Sequence, residues 1–315
     1  LWCERVGAHH LEEVRRFDEA WQAEASLALR RGDPEAAAAY AAHGRLSTAH
    51  PALLAERVAK VHQRLADNDR TLAITTASAG MARDINVAIQ RRRNPGRDGA
   101  WVELADGTRA FAGDRIATRR NDRMLTDAGR PVRNRHTWDV ESVGADGSLV
   151  VSHPERGRVR LAAAYVARHV ELGWAVTGYG NQADTLDAGL CVVEPSSTRN
   201  GVYVGMTRGR GRNVAIVVDP TGVADPEKAF AAVIARPAET RSALATLERL
   251  GGTPPAEPAR RLPPRRPAPA RRPLPDRQPP PAPERPDPVP EPEVAVPTPP
   301  QRAPVVRPAR RALRR

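Results

Sequence analysis

The chemistry of this chain is concentrated in one short stretch, Gly205-Met206-Thr207-Arg208-Gly209-Arg210-Gly211-Arg212-Asn213. Arginine presents a planar fork of N–H donors that stays charged at any physiological pH, and that fork suits phosphate oxygens better than an ammonium does. A solvated basic turn is the competing reading of the same residues. The elements around the stretch give it a place. Gly189 to Val193 and Val214 to Val218 are apolar runs of the kind buried on both faces of a parallel sheet. Between them a helix is predicted over Ser197 to Met206, capped by Ser197 or Thr198. Strand, helix and strand form a βαβ unit that aims its arginines at something anionic.

The run Tyr203 to Arg210 resembles the last block of superfamily 1 helicases, in the form found in the helicase half of MobF-type conjugative relaxases and RecD-like enzymes. The resemblance implies that Arg208 reaches the γ-phosphate of ATP across a cleft, with Arg210 beside it in nucleotide coupling. A second block, Leu11 to Asp33, resembles the segment joining the two motor domains of those enzymes. It implies a second γ-phosphate contact at Arg16; an amphipathic helix with solvated arginines is the alternative. A third, Leu172 to Asp187, resembles the block that couples DNA to ATP. Gln182 and Thr185 match it, whereas Tyr179 stands where a histidine is usual and Ala183 where a glycine is usual. A methyl group at a close backbone approach obstructs that coupling.

The other predicted elements position these blocks. Helices are expected from Leu11 to Leu29 with a stop at Gly32-Asp33-Pro34, from Pro34 to Ala42, and from Pro51 to Leu65. Thr71 to Thr76 reads as a strand, followed by Ala77-Ser78-Ala79-Gly80 and a helix through Asp84 to Ile89. In the resembling helicases this loop reads the DNA backbone, because exposed amides at a helix N-terminus favour phosphate. Ser78 and Asn86 are the implied contacts, with a plain packing unit as the alternative. Residues 100–165 change to short strands, with a hairpin signal at Asp146-Gly147. The resemblance makes this insert a small SH3-like β-barrel, with Arg119, Arg120 and Asn121 along a DNA backbone or on a solvated edge. Tyr179 belongs to the same implied DNA-binding set.

The expected architecture is therefore α/β: a helical linker over 1–66, a RecA-like parallel-sheet motor domain over 67–235 carrying the insert at 100–165, and a tail over 236–315. Residues 251–315 hold 22 of the 31 prolines and 14 arginines against six acids, and therefore +8 of the net +12. Such a composition cannot bury enough apolar surface to offset the entropy of ordering, so disorder with polyproline II character is predicted there. Only Lys60 and Lys228 are lysines, so arginine richness is partly a matter of codon usage, but the excess charge still favours a nucleic-acid partner.

No Gly-x-x-x-x-Gly-Lys-Ser/Thr loop occurs, and no acidic pair is placed to hold magnesium. ATP and Mg²⁺ are thus expected in a complete enzyme and not on this chain alone, with an upstream helicase or relaxase domain supplying their site and single-stranded DNA as partner. A leucine at position 1 points to a fragment or an unusual start codon. A non-catalytic DNA-binding remnant is the second reading, and a proline-rich interaction protein the third. Cys3 and Cys191 make neither a disulfide framework nor a metal site. With no apolar run of membrane-spanning length and no signal segment, the expected location is the cytoplasm, away from membranes.

Overall fold

A computed structural model of the chain describes residues 16–96, 98–178 and 186–236. Its centre is a five-stranded parallel sheet in the order β1 (Leu46–Ala49), β12 (Gly209–Val218), β11 (Leu186–Val193), β2 (Leu72–Thr76) and β10 (Ala175–Thr177). The sequence explains the middle of this sheet. Ala188 to Val193 are all buried, as a central parallel strand covered on both faces must be.

Two helical layers cover the sheet. On one side lie α1 (Ala20–Arg31), α2 (Glu35–Ala42), α6 (Arg199–Gly205) and α7 (Pro226–Ile234), which share a core with Cys191, Val193, Ala215 and Val217. On the other lie α3 (Pro51–Ala66) and α4 (Ala79–Arg93), packed with Ile74, Leu190, Val192 and Ile216. Helix α1 stops where expected, because Gly32 takes φ +79° and turns its N–H back to the Ala28 and Leu29 carbonyls. Its start differs from expectation. The helix begins at Ala20, so Arg16 sits in the irregular segment before it.

The insert leaves the sheet after α4 and returns through β10. It contains the ribbon β3 (Trp101–Glu103) with β4 (Arg109–Phe111), and an antiparallel sheet in the order β8 (Gly157–Leu161), β7 (Leu149–His153), β6 (Thr137–Val143), β5 (Arg115–Thr118) and β9 (Val170–Leu172). A short helix, α5 (Ala163–His169), precedes β9. The predicted Asp146-Gly147 turn joins β6 to β7, with Gly147 at φ +80°. The ladders form a five-stranded sheet and a separate ribbon rather than one closed barrel. Trp138, 1% exposed, lies in the core of the insert.

Three further expectations change. Segment 1–66 was read as a helical linker, yet its residues 46–49 form the edge strand β1, paired in register with Ala215 to Val218. The second strand of the βαβ unit was expected from Val214, but it begins at Gly209, so most of the arginine-glycine stretch is the first half of β12. Thr198, not Ser197, caps α6, and the Ser197 hydroxyl instead accepts the Glu194 N–H. The tail lies outside the described residues, as do Tyr179, Gln182 and Thr185 of the predicted coupling block.

Candidate nucleotide-facing and nucleic-acid sites

Helix α6 positions Arg208. Gly205 lets the helix sit directly on the sheet, since a Cβ there would lie 2.6 Å from Cys191 Sγ. The Cys191 thiol is correspondingly inert, its pKa pushed up to about 12 by burial. Beyond Met206 the chain leaves the helix, and the Thr207 hydroxyl bonds back to the Tyr203 carbonyl at 2.9 Å. Arg208 is 7% exposed. Its Nε donates to the Val204 carbonyl at 2.9 Å and its Nη2 to Thr207 Oγ1 at 3.1 Å. The guanidinium therefore lies over the C-terminal end of α6, where unsatisfied carbonyls attract positive charge.

The two arginine blocks, 191 residues apart, come together here. Arg16 Nη1 donates to the Thr207 carbonyl at 2.5 Å, and the Asp18 N–H donates to the Arg210 carbonyl at 3.2 Å. A buried amide pair then fixes the stretch. Asn213, wholly buried, accepts the Gly209 N–H at 2.7 Å and donates to the Gly209 carbonyl at 2.8 Å. It also donates to Gln22 Oε1 at 3.2 Å, while Gln22 Nε2 donates to the Gly211 carbonyl at 3.0 Å and to Glu19 at 2.8 Å. Glu19 in turn pairs with Arg45 at 2.8 Å. Neither Gln22 nor Asn213 was singled out from sequence; a polar residue inside a strand was the available signal. Arg210 and Arg212 alternate outward into solvent along β12.

The implied DNA contacts have other employment. Ser78 caps α4 by accepting the Met81 N–H, but the Glu194 carboxylate already occupies the helix N-terminus. It accepts from the Ala77 and Ser78 amides at 2.9 and 3.0 Å and from the Ser78 hydroxyl at 2.6 Å. A phosphate would have to compete with a resident anion there. Asn86 is 4% exposed and faces inward. It donates to the Leu172 and Ala175 carbonyls at 3.0 and 2.9 Å and accepts the Ala175 N–H at 2.7 Å. The structure thus makes it a clamp between α4 and the end of the insert, with both amide N–H groups and one lone pair of its oxygen engaged by backbone.

Arg119 is ion-paired with Glu171 across the β5–β9 pair. Arg120 reaches His169 at 3.3 Å and Asn121 Oδ1 accepts the Asn134 N–H at 2.8 Å, both at the exposed end of β5. Among the described residues no group of three or more His, Cys, Asp or Glu can hold a metal ion. No described helix is long and apolar enough to cross a membrane.

Residues 1–51 match the family model described as an AAA domain. The chain is TraA-like. It is 30% identical over 214 residues to the conjugal transfer protein TraA of Agrobacterium fabrum, and 28% identical over 215 residues to that of Rhizobium radiobacter. Each match covers 66% of this chain and 19% of the relative, so the chain spans about a fifth of the length of these curated relatives. The Pif1 helicase from Bacteroides, crystallised with ADP-AlF3 and ssDNA, aligns with a TM-score of 0.46 at 12% identity, covering 76% of this chain and 55% of that one.

Proposed function

We propose that this chain is the C-terminal motor portion of an ATP-dependent DNA helicase or translocase of a conjugative relaxase. In this reading it supplies Arg208 and Arg16 to a nucleotide whose phosphate loop and Mg²⁺ ligands reside on a preceding domain, and it contributes contacts to single-stranded DNA. The observation that carries the reading is the Arg16 to Thr207 bond. It draws two arginine-bearing segments into one corner of the sheet, as two groups acting on one phosphate require. Arg208 then leaves its resting place on the α6 carbonyls when a γ-phosphate offers a stronger acceptor. Ser78, Arg120, Asn121 and the coupling residues Tyr179, Gln182, Thr185 and Arg210 complete the proposed machinery; Asn86 supports it from inside, and Arg119 does so through Glu171.

The test is turnover. The isolated chain hydrolyses no ATP. Joined to a phosphate-loop motor domain, Arg208→Ala lowers kcat by roughly 10³ with nucleotide affinity nearly unchanged, since such an arginine acts mainly on transition-state charge. Arg16→Ala behaves similarly and Arg212→Ala far less. Equal, small effects at all three positions refute the reading. The inward seat of Arg208 favours the second reading, a DNA-binding remnant without turnover, which predicts that outcome.

A further inference from the structure

One cavity among the described residues belongs to neither the Arg208 corner nor the Ser78 end. It has a volume of about 610 Å³ and lies between the N-terminal end of β2, the C-terminal ends of α3 and α4, and the β5–β7 face of the insert. Ser78 follows the opposite end of β2, about 15 Å away at a strand's rise per residue. The volume falls in the range of small-ligand sites.

Its lining is cationic and aromatic. Arg93 stands 5.9 Å from the Trp174 ring centroid, and the His62 ring meets Trp174 edge-on at 6.4 Å. Arg70, Arg115 and Arg156 add further positive charge, against Asp139 and Glu155. Asp139 is taken by Arg115 at 2.9 Å, while among the described residues no salt bridge reaches Arg93 or Arg156. Burial, then Arg93 and Arg115, hold the His62 imidazole down at about 4, so the histidine is neutral and the cavity's charge comes from guanidinium groups. Two lining residues also carry unpartnered buried donors, Arg156 Nη1 and Trp138 Nε1. Orphaned buried donors are costly unless an acceptor arrives. Trp174 itself is 8% exposed, so the aromatic side of the cavity is the narrow strip that Trp174 and His62 leave open; the guanidinium groups and orphaned N–H groups beside it call for an anionic acceptor joined to a flat ring that can lie along that strip.

We propose that this cavity binds a nucleotide unit, its phosphate on Arg93 and Arg156 and its base against the Trp174–His62 wall. The unit comes either from a free mononucleotide or from a single-stranded nucleic acid. The site stands independently of the role of Arg208. It is tested on the full chain labelled with 5-fluorotryptophan, by ¹⁹F NMR in high salt to suppress diffuse binding, with the Trp174 resonance assigned through Trp174→Phe.

Titration with dTMP shifts that resonance saturably. Arg93→Gln, at an exposed position, weakens the affinity severalfold, and Arg93→Gln with Arg156→Gln weakens it at least tenfold; Arg168→Gln on α5 leaves it unchanged. A decathymidylate binding more than tenfold tighter than dTMP identifies nucleic acid as the source, and equal affinity identifies the free nucleotide. An unmoved Trp174 resonance with both probes overturns the assignment. So does a shift that survives Arg93→Gln unchanged, or inorganic phosphate binding as tightly as dTMP.

Discussion

Replacing Asn86 by alanine separates two jobs that the same residue could have had. In the structure its side chain makes three hydrogen bonds, all to backbone at the junction where the insert rejoins the parallel sheet. Each such bond contributes a net ~1 kcal/mol, and deletion strands the buried Leu172 and Ala175 groups, so Asn86→Ala costs about 3 kcal/mol. For a folded unit of this size that is a fall of roughly 6–12 °C in Tm. Asn86→Asp is at least as damaging, since an ionised carboxylate faces two carbonyls it cannot donate to. The assay pairs thermal unfolding by circular dichroism with amide exchange at Ala175, which speeds up as the clamp is lost. Single-stranded DNA affinity, measured below the lowered Tm, stays within twofold of wild type. An unchanged Tm together with lost DNA binding refutes the clamp and restores Asn86 as a ligand contact.

Glu194→Gln removes the resident anion from the α4 N-terminus, where a charge is worth roughly 0.5–1 kcal/mol, and raises single-stranded DNA affinity about two- to fivefold in fluorescence anisotropy; unchanged or weaker binding means that no phosphate visits Ser78. His62 supplies a pH signature. Because burial depresses its folded pKa to about 4 from the ordinary 6.5, the unfolded chain takes up the proton first. The associated stability is complete above about pH 6.5 and is lost as pH falls toward 4, by ~2 kcal/mol once its partial exposure is discounted. Urea unfolding at pH 7.5 and 5 shows this loss in wild type and a smaller one in His62→Phe, and equal losses exclude it. Deleting residues 251–315, with their net +8, flattens the log affinity against log salt slope on single strands by several units, at about 0.7 per phosphate neutralised. A slope and affinity that both survive move DNA binding into the folded body.

What the sequence revealed and what it hid divide along one physical line. Strands β11 and β12 were legible because central parallel strands must be apolar on both faces, a constraint each residue carries locally. Strand β1, Leu46-Ser47-Thr48-Ala49, was not, because a short edge strand needs little apolar content and its identity comes from pairing with Ala215 to Val218 far along the chain. The arginines at 16 and 208 were singled out through the order of their blocks, but the Thr207 carbonyl that Arg16 reaches, and the Asn213–Gln22 amides that hold the stretch, carry no local periodicity. Ser78 and Asn86 show the limit most clearly. A helix N-cap and a polar helix-face residue look alike whether they meet a phosphate or the protein itself. For Ser78 the deciding group is the Glu194 carboxylate, 116 residues on; for Asn86 it is the Ala175 peptide, 89 residues on. A buried polar side chain takes its role from the partner that removes its desolvation penalty, and in this fold those partners are brought in by sheet topology, which hydrophobic patterning encodes only indirectly.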